Sequence, residues 1–164
     1  MRRLLLIILV SAVSCTHSVY IVRHAEKAAD NMSGDVALSE AGQQRAETLR
    51  ETLKNEKIAE IYSTNTVRTR STAQPAADYV GQPVQTYGPM PDSAFISLLR
   101  SKKKNILVVG HSNTIDDIAN RLCGRTVVPG DLPDSEYDNL FVVTIRGKKT
   151  SFERKKYGLP SRRP

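Results

Sequence analysis

Val19, Tyr20, Ile21 and Val22 form an unbroken apolar run that stops on Arg23 and His24. Apolar residues without alternation do not suit a strand with one wet face. They suit a strand covered on both faces, as in a parallel sheet flanked by helices. Residues 105–111, Asn-Ile-Leu-Val-Val-Gly-His, repeat the same design. The chain has only three histidines, and two of them stand at such strand ends. In open α/β sheets, ligands bind beyond the carboxyl ends of the strands. Both runs therefore carry an imidazole to one rim, and Arg23 adds a guanidinium there. An imidazole can serve as a nucleophile. An arginine fork matches phosphate oxygens and keeps its charge at any physiological pH. Gly110, just before His111, is expected to let the backbone approach a ligand closely.

Between these runs, residues 62–73 read as a strand end passing into a helix, with Arg68 in the first turn. The free N–H groups and dipole of a helix start favour anions. Two arginines, two histidines and helix starts on one rim describe a phosphate site.

The remaining elements follow in alternation. A helix starts at Leu38-Ser39-Glu40, capped by Ser39. Strands are expected at 59–63, 84–87, 106–109 and 139–145, with a partner strand at 150–154 after the Arg146-Gly147-Lys148 turn. Helices are expected at 66–79, bent or interrupted by Pro75 and ended by Gly81, after Asp92, and from about Asn113 to Gly124. This alternation predicts an α/β three-layer sandwich, a mostly parallel sheet with helices on both faces. One domain is the expectation for 164 residues.

Arg23-His24-Ala25, the Ser63…Arg68-Thr69-Arg70-Ser71-Thr72-Ala73 segment and Gly110-His111-Ser112 resemble, in order and spacing, three signatures of the histidine phosphatase superfamily, the phosphoglycerate-mutase-like clan. The resemblance implies a late antiparallel hairpin in the sheet, with Glu136 and Tyr137 as pocket neighbours. It implies His24 as the nucleophile, phosphorylated on a ring nitrogen. Arg23, Arg68 and His111 would bind and neutralise the phosphoryl group, with Ser112 beside them. No cofactor or metal is implied, because these groups supply the positive charge. A zinc reading is weak, since His17 is expected in a tether ahead of the fold. The substrate would be a phosphorylated small molecule or a phosphoprotein.

The general acid is the gap. One branch of the family places an aspartate after the second histidine, where this chain has Ser112. Another places a glutamate in the loop after the third strand, where this chain offers Asp92, which equally suits a helix cap. Glu26 and Glu136 are weaker candidates. The compact chain leaves little room for a mutase's insertions and resembles the branch that includes phosphohistidine phosphatases. A non-catalytic phospholigand-binding domain is the alternative reading, and a phosphotransferase a more distant one.

The amino terminus reads differently. Arg2 and Arg3 precede an apolar run at 4–10 and then small residues, the pattern of a signal peptide over residues 1–14. The run is too short for a permanent span. Val13-Ser14-Cys15 resembles a bacterial lipoprotein cleavage box, with Ala12 where leucine is commoner. Cys15 would then carry the lipid, and the 16–164 domain would be exported to the cell envelope on a membrane anchor. A plain secreted protein and a Cys15–Cys123 disulfide are the rival readings. Cys123 does not head a cysteine-phosphatase loop, because Pro129 stands where such a loop needs arginine. The formal net charge of +7 gathers late, in Lys102-Lys103-Lys104, Arg146, Lys148, Lys149 and the residues up to Arg163. Aromatic residues do not interleave these cations, so nucleic acid is not an expected partner.

Overall fold

The computed structural model describes residues 16–29 and 34–161. The leader expected at 1–14 and the lipid site expected at Cys15 lie outside the described residues.

Six strands form one sheet in the order β3-β2-β4-β1-β5-β6. They are β1 (Thr16–Arg23), β2 (Ile58–Thr64), β3 (Val84–Tyr87), β4 (Asn105–Gly110), β5 (Asn139–Arg146) and β6 (Lys149–Lys156). The first four run parallel. β5 lies antiparallel to β1, and β6 antiparallel to β5. The expected late hairpin is present.

The unbroken apolar runs have the predicted cause. Val19 and Ile21 of β1 face one core, with Ile106 and Val108 of β4. That core is closed by α3 (Ser93–Ser101) and α4 (Ile115–Cys123), through Leu99, Ile115, Ile118 and Leu122. Tyr20 and Val22 face the other core with Leu107 and Val109, under α1 (Glu40–Leu53) and α2 (Val67–Val80). Every second residue of one strand serves a different layer, so these stretches of the central strands are apolar on both faces.

The caps agree with the sequence. Ser39 accepts the N–H of Gly42, Thr66 that of Thr69 and Asp92 that of Phe95. Gly81 ends α2 at φ 67°, the left-handed conformation that glycine adopts without penalty. Pro75 sits inside α2, which runs unbroken.

Two expectations are corrected. His17 is not in a tether. It lies in β1, 4% exposed, with Nε2 3.0 Å from the Leu99 carbonyl. Pairing with β5 extends β1 back to Thr16, opposite Arg146, and the Asn105 side chain accepts the Ser18 N–H. Gly110 also has another reason. A Cβ there would stand 2.7 Å from the Tyr87 hydroxyl and 3.0 Å from Ile115, so protein fills that space rather than a ligand.

Candidate active site

The register of the sheet assembles the site. Arg23 pairs with Gly110 across β1 and β4, so His24 and His111 emerge side by side. The His24 N–H donates to the Gly110 carbonyl at 2.9 Å. The two rings lie 5.5 Å apart, inclined at 66°. β2 leads through Thr64 into α2 and delivers Arg68 beside them. Thr72 of α2 accepts the Ala25 N–H at 2.9 Å and donates to the Arg68 carbonyl, tying the helix to the His24 loop.

His24 is 4% exposed. Its Nδ1 lies 2.8 Å from the Ala25 carbonyl. A carbonyl only accepts, so Nδ1 holds the proton and Nε2 keeps a free lone pair. Burial, with the charges of Arg23 and Arg68 and the neighbouring His111, pulls the imidazole pKa down to about 3. The ring is therefore neutral at physiological pH. His111 is likewise lowered to about 4, first by burial and then by Arg68 and Arg23. Its Nε2 is 2.8 Å from the Thr64 hydroxyl. The arrangement that satisfies every hydroxyl runs from His111 Nε2–H to Thr64, on to Thr69, and ends on the Thr64 carbonyl. This chain holds the His111 ring in place.

Arg23 is 3% exposed, and its Nη atoms donate to the carbonyls of Pro133, Asp134 and Glu136 and to the Asp134 carboxylate. Its guanidinium also lies 4.3 Å from the centre of the Tyr137 ring, which stands 6.0 Å from His24. Among the described groups, the buried Nε atoms of Arg23 and Arg68 have no hydrogen-bond partner. Buried donors of this kind are rarely left unmatched, and an acceptor between the two arginines would satisfy both. Arg68 Nη1 is 3.5 Å from Asp35. The Asp35 carboxylate also accepts the Val67 N–H at 2.8 Å, at the start of α2. Each of these two arginines thus has a loop carboxylate beside it, Asp134 on Arg23 and Asp35 on Arg68. An incoming phosphate group would compete with both.

The other carboxylates are engaged. Arg45 grips Glu26 with Nε and Nη2 at 2.7–2.9 Å and also holds the carbonyls of Tyr157 and Leu159. Glu136 takes a hydrogen bond from Asn139, and this, with the Lys156 and Arg154 charges, holds its carboxyl below the usual range. Asp92 caps α3 with its carboxylate on the Phe95 N–H at 2.7 Å. Ser112 is half-buried after His111, and its carbonyl accepts the Leu132 N–H.

The structure brings together His24, His111, Arg23, Arg68 and Tyr137. Sequence reasoning missed Asp35, Asp134, Thr64 and Thr72 as site groups. A cleft of about 770 Å³ beside the site is lined by Lys27, Gln44, Asp134, Tyr137 and Leu159, among others. Among the described residues, the loop before β5 contributes Asp134, Ser135 and Tyr137 to this cleft. The first half of α1 and the chain near Leu159 complete it.

Residues 19–89 match the sequence model of the histidine phosphatase superfamily (branch 1). No curated protein matches the chain in sequence. Solved structures share its fold. The SixA structure from Agrobacterium tumefaciens, assigned as a phosphohistidine phosphatase, aligns with a TM-score of 0.62 at 21% identity, covering 87% of this chain and 98% of that one. A mycobacterial glucosyl-3-phosphoglycerate phosphatase aligns at 0.65 and 13% identity, covering 87% and 99%. A phosphoserine phosphatase from Entamoeba histolytica aligns at 0.63 and 14% identity, covering 87% and 98%. The chain resembles this superfamily in sequence over residues 19–89 and in fold over most of its length. His111 falls outside the matched segment, and the β1–β4 register supplies it.

Proposed function

We propose that this chain, with the superfamily's sequence in residues 19–89 and its fold around them, is a phosphatase that works through a phosphohistidine on His24. One observation carries the reading. A neutral imidazole, with Nδ1 pinned and Nε2 free, sits between two arginines whose Nε–H groups have no partner among the described groups.

The Nε2 lone pair attacks phosphorus, and the bond from phosphorus to the leaving oxygen or nitrogen breaks. Arg23 and Arg68 take the equatorial oxygens and offset the charge that builds on them. His111 would donate to the same oxygens by turning its Nε2–H from the Thr64 hydroxyl onto them. The leaving group takes its proton from an acid of the site or from water. Water then attacks the phosphohistidine, the N–P bond breaks, and orthophosphate leaves. The chemistry needs no metal, because two guanidiniums supply the charge. The first half-reaction is shared with mutases. Hydrolysis rather than transfer is our reading of a compact chain with neighbours named as phosphatases.

The engaged state of Glu26, Glu136 and Asp92 favours substrates whose leaving group needs little help, such as a phosphoramidate. Asp92, in the loop after β3, is the proton donor we assign from the family pattern, released from its cap when substrate binds. The same engaged carboxylates motivate a second reading, a domain that binds a phospholigand without turning it over. We further propose that residues 1–14 are a lipoprotein leader and that Cys15 anchors the chain in the bacterial envelope, as the sequence pattern suggests.

Hydrolysis of para-nitrophenyl phosphate, with chelator present, tests the reading, because this leaving group needs almost no acid. Turnover that vanishes in His24→Ala supports it. Turnover that survives in the variant refutes it. Phosphate binding with no turnover favours the binding domain.

A further inference from the structure

We propose that the rim of the sheet opposite His24 docks on an anionic phospholipid surface, which turns the active rim away from the membrane. The proposal rests on the anchored-chain reading for its lipid and on the structure for its geometry.

β1, β4 and β2 all begin at this rim, and their lead-in loops bring cations to it. Lys57 precedes β2, and Lys103 and Lys104 precede β4. The β5–β6 turn adds Arg146, Lys148 and Lys149, with Arg146 paired to Thr16. Arg125 follows α4, whose Cys123 carbonyl accepts the Thr150 hydroxyl next to Lys149. All seven are exposed, and none has an ion pair among the described residues. Of the nearby carboxylates, Glu51 pairs with Arg50 and Lys54 and Glu60 with Lys102, while Glu56 accepts the Tyr20 hydroxyl and keeps its charge. Seven cations against that one carboxylate leave the rim with a net positive charge.

The route of the chain selects the partner. Thr16 opens β1 at this rim, so a chain anchored at Cys15 joins the fold there. An anchor at Cys15 would leave no spacer between lipid and strand, and the rim would lie within a Debye length of the headgroups. One hydrophobic signal plus a basic patch is the combination that gives lasting membrane attachment. Exposed lysines suit a diffuse anionic surface better than a buried arginine fork does. His24 stands at the far end of β1, roughly 25 Å away for eight residues of strand. Its substrates would approach from the solvent side.

The test uses the full chain, extracted from membranes and reconstituted into phosphatidylcholine vesicles with or without phosphatidylglycerol. Lysine acetylation is read by mass spectrometry. Lys103, Lys104, Lys148 and Lys149 are expected to label roughly five-fold less with phosphatidylglycerol, with the difference lost at high salt. Lys27, at the active rim, is expected to label alike in both. A variant with Lys103→Glu, Lys104→Glu, Lys148→Glu and Lys149→Glu should keep para-nitrophenyl phosphate turnover but lose the protection of Lys57. Equal labelling of the rim in both vesicles would overturn the proposal while leaving the anchor standing. A chain that leaves both kinds of vesicle would overturn rim and anchor together. Equal protection by a short oligonucleotide without vesicles would replace the lipid by a general polyanion.

Discussion

The two ends of β1 each carry a buried histidine, and the two are used in opposite ways. His17 and His24 are both 4% exposed, and each has a ring nitrogen on a backbone carbonyl, Leu99 for one and Ala25 for the other. His17 is packed under α3 among lead-in loops whose free cations are exposed. His24 faces a rim where Arg23 is buried and Arg68 largely so, with the carboxylates Asp134 and Asp35 outside them. A buried arginine held by carbonyls, as Arg23 is, suits one compact dianion in a set orientation. Exposed lysines meet a broad field. The same charge therefore does different work at each end, according to how far it is desolvated and fixed.

The largest effect that would break this comparison comes from removing a cation at each rim. Arg23→Ala or Arg68→Ala should lower kcat/KM for para-nitrophenyl phosphate by about 10²–10³. Lys104→Ala should leave it within about two-fold, because the side chain is exposed and unpaired. Comparable losses at both sites would mean that the basic charge acts as a general field rather than as a site.

The next effect sharpens the picture of how the active rim is held. Thr72→Val removes the acceptor of the Ala25 N–H, which lies beside a fully buried residue. Leaving that donor unmatched should cost about 1–3 kcal/mol, read as a lower midpoint in denaturant. An unchanged midpoint would show that the loop after His24 does not depend on α2.

A smaller effect concerns pH. In the unfolded chain, imidazoles take up protons below about 6.5. In the folded chain, His24 and His111 resist protonation down to about 3 and about 4. The unfolded state thus binds more protons across that window, and stability falls as pH drops through it. His24→Gln should unfold less readily at pH 5 relative to pH 7 than the parent chain does. An identical pH dependence would mean that His24 is not held neutral.

The smallest effect is expected at Asp134, whose side chain is 97% exposed although it touches Arg23. A pair so wet is weak. Asp134→Asn should tighten inhibition by inorganic phosphate by no more than about three-fold, and less in salt. A larger gain would make Asp134 a gate rather than a loose counter-ion.

Much of this was legible in the residues. Unbroken apolar runs ending on His24 and His111 announced buried parallel strands and a shared rim, because no other arrangement hides both faces of such strands. Arg68 was readable from its place in a helix start, and Ser39 and Asp92 from their capping positions. Other features depend on distant pairing. β1 extends back to His17 only because β5 and Asn105 lie alongside. Gly110 is glycine because of Tyr87 and Ile115, which no local pattern shows. Thr64, Thr72, Asp35 and Asp134 carry ordinary loop and helix side chains, and their roles appear once the rim is assembled. The cleft beside His24 draws on α1 and on Leu159, which are remote from the motifs in sequence.

The most direct test of the account is capture of the covalent intermediate. The protein would be mixed with a phosphate monoester labelled on phosphorus and quenched during turnover, and the modified peptide identified. The account predicts an acid-labile, alkali-stable phosphoryl group on the peptide holding His24, absent from His24→Ala. Turnover with no trapped group, or with the group on another residue, would contradict it.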